Sequence, residues 1–138
     1  MKSLSFTGVV TLAAMVFGIS ACQAYAPNKA DVAREVIEQG IGEGDRTVLK
    51  RHIAEDYIQH NPRAADGREG VLAVLDNMEA NNVDVGVTVR RVLTDGDYVL
   101  LHSRYDMGQP LAAFDLFRFE GDKVVEHWDA LQPIPAVT

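Results

Sequence analysis

The chain changes its hydrophobic period near residue 82. Beyond that point Val83, Val85, Val87 and Val89 alternate with Asp84, Gly86, Thr88 and Arg90. A period of two marks a strand with one buried face. Before that point the apolar residues recur at helical spacing. Asn28 reads as an N-cap, with Asp31 placed to suit the helix dipole. Val32, Ala33, Val36 and Ile37 then extend a first helix to about Gln39. Gly40, Gly42 and Gly44 supply a turn, and Asp45 caps a second helix with Val48, Leu49, His52 and Ile53 on its apolar face. Pro62 forbids simple continuation of that helix through "DYIQHNP". A third helix starts at "DGREG" and shows Val71, Leu72, Leu75 and Met78 on one face.

Four strands follow in the second half. Val92 falls on the opposite parity to the valines before it, which predicts a β-bulge near Arg90-Arg91. "TDGD" is a hairpin turn, because Asp-Gly tolerates positive φ. The next strands run from Tyr98 to Asp106, Leu111 to Glu120 and Val124 to about Leu131, with "EGDK" turning between the last two. Helices first and an antiparallel meander second predict an α+β fold, with three helices on one face of a curved sheet. The second and third strands are apolar on both parities, whereas an open antiparallel sheet normally keeps one wet face. Something must cover the outer face, and with the helices used on the other side a homodimer is expected.

A length of 138 residues suits one domain. The net charge of −7 and the lack of Lys/Arg clusters exclude a nucleic-acid surface and an anionic-membrane surface. The single cysteine, Cys22, rules out an intrachain disulfide. It closes "MKSLSFTGVVTLAAMVFGISAC", in which Lys2 precedes an apolar run from about Leu4 to Ile19. That order is a secretory signal, too short for a membrane span. Ile19-Ser20-Ala21-Cys22 resembles a bacterial lipobox, so residues 1–21 are expected to be removed and Cys22 lipidated. Ordinary signal peptidase cleavage nearby also fits. A lipid anchor would be the chain's membrane contact, placing it in the cell envelope, at the outer membrane or in the periplasm, or else as a soluble exported protein. Residues 22–29 then read as a tether, 30–133 as the folded domain and 134–138 as a tail.

"YIQHNPRAADGREG", "DYVLLHSRY" and "AAFDLFRFEGDKVVEHWDALQPIP" together resemble the SnoaL-like branch of the nuclear-transport-factor-2-like superfamily. The resemblance spans about Ala30 to Pro133, and its most specific part is the closing segment from Asp115 to Asp129. It implies a cone of helices over a bent antiparallel sheet that encloses a pocket for a small organic molecule. Members named as polyketide cyclases close rings by intramolecular aldol condensation, with no metal and no cofactor. A pocket carboxylate serves as acid and base, aided by a histidine. The matching carboxylate here is Asp115, and His102 resembles the companion histidine. An export signal is unusual for such a cyclase. Isomerisation, hydrolysis, ligand binding without catalysis and a dimerising structural domain therefore stay open.

The residues themselves support several roles. Asp115 stands among Ala113, Phe114, Leu116 and Phe117, where desolvation would fit it for proton transfer. The alternative is a buried ion pair with Arg104 or Arg118. His102, mid-strand, is either Asp115's partner or a packed histidine. Tyr57, Gln59, His60 and Asn61 arrive together before Pro62 and are expected at the pocket rim, with the preceding helix carrying Tyr57 there. His127 and Asp129 share one parity of the last strand and are expected to line the pocket, while Glu126 shares the other with Val124 and Trp128. His52 reads as a core residue. His52, His60, His102 and His127 lack the close spacing of a metal motif. No metal site and no cofactor are expected.

Overall fold

The computed structural model describes residues 27–136. The signal segment, Cys22 and most of the expected tether lie outside them. Helix α1 (Lys29–Glu35) starts at Asn28, whose side chain accepts from the Ala30 N–H. It passes directly into a π-wound segment (Val36–Gly42), so the helical path reaches beyond Gln39 and through the first two glycines of the expected turn. Asp45 caps α2 (Arg46–His52) by accepting from Thr47 and Val48 N–H groups. Helix α3 (Arg68–Ala80) buries Val71, Leu72 and Leu75. Its Gly70 packs so closely that a Cβ there would stand 2.1 Å from the Ala65 carbonyl oxygen.

The sheet has five strands rather than four. Ile53–Gln59, expected to continue the second helix, is a strand, β1. It is joined by β2 (Gly86–Asp95), β3 (Tyr98–Asp106), β4 (Pro110–Glu120) and β5 (Lys123–Pro133). Their order is β1-β5-β4-β3-β2. β1 runs parallel to β5 and the other pairings are antiparallel, so the sheet is mixed. Arg68 clasps the α2–β1 junction by donating to the Lys50 and Ile53 carbonyls.

Beside a slip in the parallel β1–β5 pairing between Ile53 and Ile58, two bulges in the antiparallel ladders set which side chains face inward. The register of β2 on β3 slips between Val89 and Arg91, where the change of parity predicts it. A second slip separates Arg118↔Glu126 from Phe119↔Val124, which leaves Val125 as the extra residue. Val124 therefore faces the core together with His127, although the two differ in parity. The core is one cluster, in which Val36 and Ile37 of the π-wound segment and Leu49 of α2 pack on Val99, Leu101, Phe117 and Phe119 of the sheet.

Candidate functional site

Between the helices and the inner face of the sheet lies a cavity of about 610 Å³, well within the size range of small-molecule sites. Apolar side chains of the π-wound segment and α3 wall it on one side. On the sheet side stand Asp115, His127 and Asp129. Asp115 and Asp129 are direct partners across β4 and β5. The side-chain donor atoms of these three residues lie within 4.8 Å of one another, the one such grouping among the described residues. Each is already engaged by a neighbour.

Asp115 is 2% exposed and His127 7%. The His127 Nε2 is 3.3 Å from Asp115 Oδ1, and Tyr105 donates its hydroxyl to Asp115 Oδ2, also at 3.3 Å. Phe117 stacks on the imidazole with ring centroids 4.5 Å apart. The other ring nitrogen, Nδ1, lies 3.2 Å from Gln59 Oε1. That oxygen also accepts from the Asn61 backbone N–H at 3.1 Å. A backbone N–H can only donate, so the Gln59 amide can point only one way. His127 Nδ1 must then carry a hydrogen. The contact between Nε2 and Asp115 needs one further proton, held on the ring or on the carboxyl. The two residues thus share a single transferable proton.

Tyr57 completes this wall. Its oxygen accepts from Gln59 Nε2 at 3.0 Å, and its own hydrogen has no acceptor among the described residues. Burial, reinforced by the charges of Asp129 and Asp115, raises its pKa well above that of a free phenol. Burial and Asp115 do the same to Tyr105. Both hydroxyls therefore remain donors at neutral pH. Asn61 donates to both oxygens of Asp129, at 2.9 and 2.8 Å. The rim loop is tied to β1 by Gly67 N–H to the Tyr57 carbonyl at 2.6 Å and by Gln59 N–H to Asp66 Oδ1 at 2.8 Å.

Tyr57, Gln59, Asn61, Asp115, His127 and Asp129 are thus brought together on the cavity wall. His60 and His102 are not. His60 stacks on Trp128 with the rings 4.5 Å apart and 3° from parallel. Its Nε2 meets Glu126 Oε1 at 2.8 Å. His102 faces outward beside Phe114 and Arg91. The reason is register: Leu101, not His102, lies opposite Asp115, so the imidazole belongs to the other face of the sheet. The histidine beside Asp115 is His127, from the next strand. Tyr105, which sequence reasoning passed over, shares the inward parity of Leu101 and Ser103. The small Ala113 and Ser103 leave room for its ring to reach Asp115. Asp115 also has no ion pair with Arg104 or Arg118, which bind Asp106 and the Glu120–Glu126 pair on the outer face. His52 is buried as expected and contacts Glu35.

The family model of the SnoaL-like domain matches residues 33–127. The chain belongs to the SnoaL-like family. No curated protein matches the sequence. Among solved structures, the SnoaL-like fold is shared with IdmH, a candidate polyketide cyclase of Streptomyces antibioticus, at 22% identity and a TM-score of 0.66, covering 76% of this chain and 92% of that one. A candidate ketosteroid isomerase of Kribbella flavida is similar at 20% identity and a TM-score of 0.65, covering 78% and 83%. TsrD of Streptomyces laurentii is similar at 21% identity and a TM-score of 0.64, covering 75% and 87%. At these identities the likeness concerns the fold. The site residues stand on this chain's own geometry.

Proposed function

We propose that this SnoaL-like domain binds a small, largely apolar carbonyl compound and moves a proton on it without a cofactor. The observation that carries the reading is the buried Asp115–His127 contact, Nε2 to Oδ1 at 3.3 Å, in the wall of the cavity, and we infer that it holds one shared proton. With that proton on His127, the Asp115 carboxylate accepts a hydrogen from the carbon next to the substrate carbonyl. Charge then develops on the carbonyl oxygen, and the free Tyr57 hydroxyl donates to it. Return of the proton to a different carbon is an isomerisation. Attack of the enolate on a second carbonyl of the same molecule is an aldol ring closure. The contacts to Asp115 are both 3.3 Å, long for charge-assisted bonds, so the carboxylate has slack to engage a substrate.

Deuterium exchange at the α-carbon of a bicyclic ketone, 2-tetralone, tests this. Full-length protein in D₂O should accelerate the loss of the α-proton NMR signal. Asp115→Asn should cut the acceleration by about 100-fold or more, and Tyr57→Phe should weaken it as an oxyanion donor would. Saturable binding with exchange no faster than in buffer would leave a ligand-binding module instead.

Export with acylation of Cys22 is proposed on separate grounds, the order Lys2, apolar run, Ser20-Ala21-Cys22. Fatty-acid labelling that persists in Cys22→Ala would overturn it.

A further inference from the structure

The cavity has a charge at its mouth that the chemistry above does not use. Arg63 is exposed, lines the opening, and is the only arginine or lysine among the described residues that do so. Its guanidinium makes no hydrogen bond or ion pair with any described residue. Among the described arginines it shares that state with Arg90, which lies away from the cavity, although 20 acidic residues outnumber 13 basic ones in the chain. Arg34, Arg46, Arg51, Arg68, Arg104 and Arg118 each hold a carboxylate.

The root of the side chain is fixed even though its tip is free. The Arg63 N–H donates to Asn61 Oδ1 at 2.9 Å. The Ala64 N–H closes a turn onto the Asn61 carbonyl at 3.1 Å, with Pro62 pre-set between them. The same Asn61 side chain donates to Asp129. One amide therefore ties the base of the arginine to the acidic wall.

We propose that Arg63 is the specificity-determining residue of the cavity. Its ligand is an organic monoanion, with an apolar body and a carboxylate at the end remote from the reacting carbonyl. The argument is one of orientation. A carboxylate pushed in first would meet Asp115 and Asp129. Turned outward, it meets the unpaired guanidinium of Arg63 at the cavity mouth, whose fork matches a carboxylate. That pairing delivers the carbonyl end to Asp115 and Tyr57. The inference rests on the carbonyl-binding function proposed above and names the class of molecule it serves.

The test compares 4′-hydroxybiphenyl-4-carboxylate with its methyl ester, by fluorescence titration of the full-length protein. The phenol stands in for the enol at the acid–base end, and the two probes differ in charge only at the other end. The acid should bind about five- to tenfold more tightly than the ester, a preference that shrinks as salt is raised. Arg63→Gln should remove the preference and leave the ester's affinity unchanged, and Arg63→Lys should keep part of it. Arg90→Gln, which changes net charge equally at a position away from the cavity, should keep all of it. Equal binding of acid and ester to the unaltered protein, or a preference that survives in Arg63→Gln, overturns the role of Arg63 and leaves the acid–base reading standing. Binding of neither probe, together with no exchange of 2-tetralone, overturns both.

Discussion

At the scale of single residues, one backbone N–H decides the chemistry of a histidine. Asn61 N–H orients the Gln59 amide, Gln59 sets the tautomer of His127, and His127 shares a proton with Asp115. Outside the cavity a second cluster does purely structural work. Arg118 and then His60 hold the Glu126 carboxylate below the ordinary glutamate range. A lowered carboxylate pKa stabilises the fold above the unfolded-state value, and that contribution is lost as pH falls through the folded value. Glu126→Gln should therefore lower Tm by a few degrees at most at neutral pH, with the difference vanishing in acid. Binding in the cavity should not change, because Glu126 faces away from it. A Tm difference that grows in acid would contradict this assignment. Asp115 was legible as an acid in an apolar strand, but its partner was not. His102 and Tyr105 stand three places apart on a strand that is apolar on both parities. No pattern there tells the inner face from the outer.

At the scale of elements, legibility followed the regularity of the pattern. The bulge in β2 showed itself because Val92 broke a clean alternation. The bulge in β5 did not, because Val124 and Val125 are both apolar and mask the slip. From sequence β1 reads as the tail of α2, because no Gly or Pro separates His52 from Ile53. Its burial is also irregular, with Ile53 and Tyr57 buried and Glu55 and Asp56 exposed between them. Parallel pairing to β5 makes this segment a strand, and such a distant partner leaves no local trace. The rim loop after β1 depends on Gly70 of α3. Gly70→Ala forces a Cβ onto the Ala65 backbone, which cannot move aside as a flexible side chain would. It should cost about 1–3 kcal/mol of stability, read by chemical denaturation. It should also weaken capture of the biphenyl carboxylate as the loop shifts. A neutral effect on both would mean the loop is not braced by α3.

At the scale of the whole molecule, the outer face of the sheet carries a continuous apolar row. Leu93 pairs with Leu100, Leu100 with Leu116 and Leu116 with Trp128. Phe114, 48% exposed, stands in the next row. This sharpens the expectation of a homodimer, which we retain as a proposal: a contiguous exposed apolar surface marks an interaction site, and a two-fold partner presents the same row. Sedimentation of residues 27–138 should give a dimer at micromolar concentration, and Leu116→Glu should give a folded monomer. A monomer of the unaltered domain would overturn it. The α+β class and the one-sided placement of the helices followed from the change of period alone. The mixed sheet did not, because pairing direction is a property of elements far apart in sequence.

The extra residue at Val125 has a consequence for inheritance. Side chains on a strand alternate, and the bulge lets Val124 and His127 share a face although three positions apart. Losing Val125 would restore regular pairing, with Val124 opposite Phe119, Glu126 opposite Arg118 and His127 opposite Phe117, and every side chain would keep its side. The same three-nucleotide deletion at Trp128, where the ladder is regular, would instead put Asp129 opposite Leu116 on the outer face. Lineages of this domain should therefore vary in length at Val125 and not at Trp128.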